Sequence, residues 1–384
     1  MIFSFVSKPP LYFGAGAVAA VGEKASGFGW KKVILVCDKG IKAAGILDKV
    51  TASLDSAGVI YVEYDGVLPD PVVAIAEEAA ALARREQVDG VVAVGGGSVI
   101  DVGKCVSVLL TNPSPINLYL GFRNDVNPGA GSILIPTTAG TGSEVSGAAV
   151  VTDTSLNIKI GVSGEHCKAK LAIIDPELTY KLPPALTAQT ALDAFAHGFE
   201  AFTGSGHNPM SDMLAKETMR LVAENLPLVM RQPDNLEGRA NLCLAATLGG
   251  MSFGDSMCHL GHTVGENIAV YAHIPHGLSC ALGMLAIISY IADVVPARVR
   301  WAGVLLGLDP AAELSDAELG AQVTDRFRAF VASAGVPTTL SGAGVSADIL
   351  EAAAKGVETE PVLQRATPKF LNAADALKLM RAIY

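Results

Sequence analysis

The chain has 384 residues, half of them hydrophobic and only 17% charged, with a net charge of -10. That length has room for two domains with large cores, and that composition excludes extended disorder. The negative balance argues against nucleic acid or an anionic membrane as partner.

Six cysteines (Cys37, Cys105, Cys167, Cys243, Cys258 and Cys280) are scattered without a C-x-x-C. They read as reduced, buried thiols of a cytoplasmic protein rather than a disulfide framework. No basic stretch followed by a long apolar run opens the chain, so no signal peptide is expected. The most apolar segment, Leu278 to Ala292, ends at Asp293 and falls short of the ~20 residues a membrane span needs.

Taken in order, the chain first predicts a strand, a turn at Gly14-Ala15-Gly16 and a helix from about Val18. Ala19 stands where a dinucleotide fingerprint would have its third glycine, so the turn reads as structural. Val33 to Cys37 is a β-branched apolar run, as in a buried parallel strand. Asp38 follows it and suits either a ribose hydroxyl or the cap of the next helix, which is expected over roughly 41–57. Val59 to Glu63 predicts a second strand, residues 72–86 a helix, and Gly90 to Val94 a third strand.

Gly95-Gly96-Gly97-Ser98 comes directly after that strand and opens a helix carrying Asp101 and Lys104. A strand, a glycine turn and a helix start offer backbone N–H groups and a positive dipole end to a phosphate. Ser132 to Ile135 predicts another strand, and Pro136-Thr-Thr-Ala-Gly-Thr-Gly-Ser-Glu144 is a second cradle of this kind. Residues 147–175 read as strands and loops, with Lys159 placed to reach a ligand or to face solvent. Past Leu182-Pro183-Pro184 the 3.6-residue period dominates, with nine helices from about 186 to 383 and no strand expected after 185. The fold class is therefore an α/β domain over residues 1–182 and an all-helical domain over 183–384.

Within the first of these helices, Asp193 and His197 are four apart and share one face, ~6 Å from each other. His262 and His276 supply further donors. One carboxylate and three imidazoles suit a divalent transition metal such as iron or zinc. On spacing alone, an Asp-x-x-x-His pair is more often a helix-surface hydrogen bond.

Together these motifs resemble the iron-containing (group III) alcohol dehydrogenases, within the dehydroquinate synthase-like superfamily. The resemblance rests on Tyr64-Asp-Gly-Val-Leu-Pro-Asp-Pro71, Gly95-Gly-Gly-Ser-Val-Ile-Asp-Val-Gly-Lys104, Ile135-Pro-Thr-Thr-Ala-Gly-Thr-Gly-Ser-Glu-Val145, Leu192-Asp-Ala-Phe-Ala-His197 and Pro275-His-Gly277. It covers nearly the whole chain. It implies a Rossmann-like N-terminal domain, a helical C-terminal domain and a cleft between them. Asp193, His197, His262 and His276 would be the metal ligands, with Fe2+ the expected ion and Zn2+ the alternative. Gly95, Gly96, Gly97, Ser98, Thr137, Thr138, Thr141 and Ser143 would line the phosphates of NAD, beside Asp101. Asp38 would contact the adenosine ribose and disfavour NADP, and Lys159 would meet the nicotinamide end. The partners implied are a small alcohol or aldehyde and a second copy of the chain in a homodimer.

Three positions depart from the family pattern. Glu266 stands four residues after His262, where many members carry a second histidine. Ala191 replaces a frequent glycine, and Asp70 a common asparagine. The first of these leaves the proton-transfer group open between Glu266 and His273. The alternatives are a superfamily relative acting on a phosphorylated polyol or a cyclic polyacid, and a non-catalytic NAD- and metal-binding relic. No basic cluster near residues 250–280 serves the former, and retention of four ligands and two phosphate loops speaks against the latter.

Overall fold

This computed structural model describes the chain except residues 1, 4, 6–8, 123, 124, 155–157 and 361, and except the side chains of residues 122 and 158–160. Two compact units divide it. One comprises Ser7–Thr138 and Gly142–Lys181, the other Met1–Val6, Ala139–Thr141 and Leu182–Tyr384.

The first unit is α/β. Its strands are β1 (Leu11–Phe13), β2 (Lys32–Val36), β3 (Ile60–Tyr64), β4 (Gly90–Gly95), β5 (Gly121–Phe122), β6 (Ser132–Pro136), β7 (Ala148–Asp153), β8 (Ile158–Ser163) and β9 (Leu171–Ile174). Its helices are α1 (Val21–Gly27), α2 (Lys39–Ala43), α3 (Ile46–Ser56), α4 (Val73–Arg85) and α5 (Gly97–Thr111). Six strands form a parallel sheet in the order β1-β9-β6-β4-β2-β3, and β5-β8-β7 make a smaller sheet.

Alternation along the strands divides the core in two. Ile34, Val36, Val91, Ala93 and Leu134 pack with Ala76, Ala79, Ala83 and the apolar face of α5. Val33, Leu35, Val92, Val94, Ile133 and Ile135 pack with Val21, Leu47, Val50 and Leu54. Successive side chains point to opposite faces, so both faces must be apolar when helices cover both, which is why β2 and β4 read as unbroken hydrophobic runs. Each fully buried Val, Leu or Ile contributes ~1.5–3 kcal/mol of transfer free energy.

The single helix expected over 41–57 is two. Gly45 adopts a left-handed conformation (φ 71°) that ends α2 and starts α3 on a new axis, a conformation that glycine takes without steric cost. At Gly14 to Gly16 the turn is held from a distant segment: Asp175 accepts hydrogen bonds from the N–H groups of Gly16 and Val18, each at 3.1 Å. Asp70 has φ 49°, a conformation in which Asn and Asp are enriched, so the exchange between these two types is mild.

The second unit is helical: α6 (Pro184–Thr203), α7 (Pro209–Arg231), α8 (Leu236–Ser256), α9 (Leu260–Ala272), α10 (His276–Ile291), α11 (Pro296–Leu305), α12 (Asp316–Ser333), α13 (Leu350–Thr359) and α14 (Ala373–Ala382). No strand occurs in it among the described residues. Helix α6 begins on Pro184, which needs no N–H partner in a first turn. From Thr187 onward it is largely buried, with α7, α8 and α10 packed on it. No helix among the described residues is long and apolar enough to cross a membrane.

Candidate metal centre and nucleotide loops

Burial of α6 takes Asp193 and His197 out of water together, so their polarity must be answered inside the helical unit. The answer comes from α9 and α10. His262 Nε2 and His276 Nε2 each stand 3.6 Å from Asp193 Oδ1, and His197 Nε2 stands 3.7 Å from it. These separations are too long for hydrogen bonds. The two at 3.6 Å match donors that share an ion, since ligands ~2.0–2.2 Å from one centre in a tetrahedron stand ~3.3–3.6 Å apart, and the His197 separation lies just beyond that range. Asp193 Oδ1 and His262 Nε2 are buried and make no hydrogen bond. Buried polar atoms are rarely left so without a ligand to receive them.

The approach of α10 depends on Gly277. A Cβ there would lie 2.2 Å from the carbonyl oxygen of Gln189, so only glycine lets the start of α10 rest on the α6 backbone one turn before Asp193. The side chain of His276 stays one-third exposed, whereas those of Asp193, His197 and His262 are buried. Burial dominates at His197 and pushes its imidazole down to about 4, which leaves it neutral and able to donate a lone pair. At Asp193 burial works the other way, but the neighbouring imidazoles outweigh it and hold the carboxyl well below its usual range.

A residue that the sequence reading missed completes this arrangement. Glu200, fully buried on α6, accepts the backbone N–H groups of His259 (3.1 Å), Gly261 (2.6 Å) and His262 (3.1 Å) through Oε1. Its Oε2 bonds His262 Nδ1. The hydrogen-bond pattern puts the ring proton on Nδ1 and aims the Nε2 lone pair at Asp193, as in a carboxylate–histidine–metal arrangement. A signal for it existed: Glu200 lies seven residues after Asp193 and three after His197, on the same helix face. His259, also fully buried, is satisfied locally. Its Nδ1 accepts from Leu260 N (2.7 Å) and its Nε2 meets Thr203 Oγ1 at 2.8 Å.

Two thiols border the centre. Asp193, His262, His276 and Cys280 have donor atoms all within 4.8 Å of one another, and so do His197, Cys258 and His262. Glu266, partly buried on α9, contributes its charge to the surroundings of Cys280. His273 is exposed and in the left-handed conformation (φ 53°) that ends α9. The ring of Phe253 lies 4.5 Å from that of His197.

In the α/β unit, three loops gather at the carboxyl ends of adjacent parallel strands. Asp38 lies just past β2, Gly95 ends β4 with Gly96 to Ser98 after it, and Thr137 and Thr138 follow β6. Because β2 and β3 lie to one side of β4, and β6 and β9 to the other, this is where the strand order reverses. Ligands of open α/β sheets sit at such a switch point. Thr138 lies against Gly96, where a Cβ would meet its Cγ2 at 3.4 Å.

Asp38 also caps α2, its carboxylate accepting from Ile41 N at 2.9 Å. Asp101 and Ser143 are tied together: Ser143 Oγ donates to Asp101 Oδ1 at 2.5 Å, and Val150 N donates to Asp101 Oδ2 at 3.1 Å. Fully buried Lys104 donates to Ser143 Oγ (2.9 Å), Ser146 Oγ (3.2 Å) and the Ala148 carbonyl (2.6 Å), clamping this segment to α5. Thr141 belongs to the short segment that clusters with the helical unit. Lys159 lies on β8, with its side chain outside the described set.

Residues 9–176 match the iron-containing alcohol dehydrogenase family, and residues 187–384 match the C-terminal domain of Fe-containing alcohol dehydrogenases. A sulfoacetaldehyde reductase of Bilophila wadsworthia is 32% identical over 100% of this chain and 99% of its own length. An NAD-dependent methanol dehydrogenase of Bacillus methanolicus is 28% identical over 98% and 99%. The crystal structure of a 1,3-propanediol oxidoreductase superposes with a TM-score of 0.95 at 29% identity, with all of both chains covered. Family matches thus cover the α/β unit and the helical unit alike, and the chain belongs to the iron-containing alcohol dehydrogenase family.

Proposed function

We propose that this protein transfers hydride between NAD(H) and a small alcohol/aldehyde pair with the help of one divalent metal ion. The observation that carries the reading is the buried, unsatisfied Asp193 Oδ1 with three imidazole nitrogens 3.6–3.7 Å away. Asp193, His197, His262 and His276 would hold the ion, iron(II) by family and zinc by its tighter binding to such donors. Bound there, it supplies a Lewis acid for the substrate oxygen. Glu200 keeps the His262 lone pair aimed, and Phe253 gives the His197 side of the site an apolar wall. Gly95 to Ser98, Thr137 and Thr138 would hold the pyrophosphate with Thr141, Ser143 and Asp101 nearby, Asp38 the ribose, and Lys159 the nicotinamide end. The test is NADH oxidation by metal-reconstituted protein against a panel of short aldehydes, with chelated protein as control. No turnover with any aldehyde would overturn the reading.

Asp38 decides the cofactor in this scheme. NADH is expected to give the higher kcat/KM, because the Asp38 carboxylate repels a 2′-phosphate. Asp38→Asn keeps an oxygen for Ile41 N and so spares the helix cap. It removes the charge, a term of one to a few kcal/mol, and should narrow the preference at least ~10-fold. Equal kcat/KM for both cofactors in the unmutated protein would sink the assignment.

Glu266 is the proposed proton carrier. It is partly buried, one helical turn beyond His262, whereas His273 is exposed on the turn that follows. Glu266→Gln should lower kcat on the order of 10²-fold, keep metal content and NADH affinity, and remove one limb of the pH–rate profile. An unchanged profile there, together with its loss in His273→Ala, would transfer the role to His273.

A further inference from the structure

We propose that the backbone carbonyl of Gly140 is the acceptor for His197 Nδ1–H, and that the segment Ala139–Thr141 thereby couples nucleotide binding to metal binding. The inference rests on the metal site and the phosphate-binding loops proposed above. His197 Nε2 is the nitrogen on the Asp193 side, 3.7 Å from Asp193 Oδ1. A neutral ring that gives this lone pair to an ion carries its proton on Nδ1. That Nδ1 is buried and makes no hydrogen bond of ordinary geometry. A buried N–H calls for an acceptor. The backbone of Gly140 is the group that reaches it: it favours the protonated ring of His197, as a carbonyl does and an N–H does not.

Packing explains how a loop comes so close to a helix ligand. Gly140 is buried, and a Cβ on it would lie 2.6 Å from the carbonyl oxygen of Thr190 and 2.9 Å from its Cα. Thr190 lies on α6, two turns before His197. The φ of Gly140 is not positive, so glycine is required here for space rather than for conformation. Ala139–Thr141 belong with the helical unit, whereas Thr138 and Gly142 on either side belong with the α/β unit. Three residues of the second phosphate loop are thus seated on the helix that carries Asp193 and His197.

Gly140 stands to His197 as Glu200 stands to His262, as the partner that fixes the tautomer and aims the Nε2 lone pair. The two differ in where they sit in the chain. Glu200 is on α6 itself, whereas Gly140 lies between Thr138 and Thr141 in the loop proposed to hold the pyrophosphate. A phosphate that fixes this loop closes the carbonyl on Nδ1–H, and an ion that fixes the imidazole holds the loop. Linkage makes the effect equal in both directions.

ADP-ribose tests this without turnover, since it carries the pyrophosphate and no nicotinamide. Zinc titrations of the full-length protein should give a Kd at least ~5-fold lower with saturating ADP-ribose than without it, and ADP-ribose should bind the zinc-loaded protein more tightly by the same factor. In zinc-loaded protein with isotopically labelled histidine, the His197 Nδ1–H resonance should move downfield when ADP-ribose is added. Gly140→Ala should weaken zinc binding ~10–100-fold and bring the coupling factor close to one. A general loss of stability would lower the melting temperature and leave that factor unchanged. Equal zinc affinity with and without ADP-ribose in the unmutated protein would overturn the coupling, and an unmoved resonance would overturn the contact; neither measurement needs the variant to fold. Full coupling retained in Gly140→Ala would take the role from Gly140. In each of these cases the metal site and the nucleotide loops stand. Failure of zinc or of ADP-ribose to bind the unmutated protein would instead overturn the reading of that site, and this inference with it.

Discussion

His276→Ala is expected to purify without stoichiometric metal and to lose activity with it. The variant removes one imidazole whose side chain is one-third exposed, so little of the core is disturbed. Its Nε2 is one of three nitrogens placed 3.6–3.7 Å from Asp193 Oδ1. Even outer-shell partners of a metal are worth ~10–100-fold in affinity, so loss of a direct ligand should cost on the order of 10²-fold or more. Turnover should fall by at least ~10³-fold, because Lewis-acid stabilisation amounts to several kcal/mol. Metal analysis after dialysis against a chelator, with NADH oxidation on the same samples, measures both. A variant that kept one metal per chain through dialysis would remove His276 from the ligand set.

Glu200→Gln should weaken metal binding about 10–100-fold while leaving the fold intact, and the reason is a tautomer. The glutamine carbonyl oxygen can still accept the N–H groups of His259, Gly261 and His262, which now bond Glu200 Oε1. Its amide nitrogen then faces His262 Nδ1, where a carboxylate oxygen now accepts. An amide donor there requires Nδ1 to accept, which moves the ring proton to Nε2 and blocks the lone pair meant for the ion. Glu200→Ala should behave differently. It strands three backbone donors inside the core, at ~1–3 kcal/mol each, and lowers the melting temperature as well as metal affinity. Zinc titration and thermal melts of the two variants separate the effects. Unweakened zinc binding in Glu200→Gln would show that Glu200 serves only the backbone of α9.

Much of the molecule was legible in the chain because local rules govern it. Unbroken runs such as Val33 to Cys37 marked parallel strands covered on both faces, and both clusters of the core use the alternate residues of those strands. The 3.6-residue period beyond Leu182 marked the helices, and the i,i+4 spacing put Asp193 and His197 on one face of α6. Glycine chemistry marked the loop after β4, whereas the break at Gly45 fell inside one expected helix over 41–57.

What only the tertiary structure decided depends on which helix faces meet. Glu200 looks in sequence like any polar residue of a long helix, and it acquires a role because α9 begins where its carboxylate can gather three N–H groups and one imidazole. Asp38 was open between a cap and a ribose contact, and only the folded turn shows that its oxygen already holds Ile41 N. Cys280 read as a buried thiol among apolar neighbours. Its neighbours in space are instead a carboxylate and two imidazoles, because Gly277 lets α10 settle on the backbone of α6. Donor types and their spacing within one helix are written along the chain, whereas distances between donors on α6, α9 and α10 arise from packing, which no local pattern encodes.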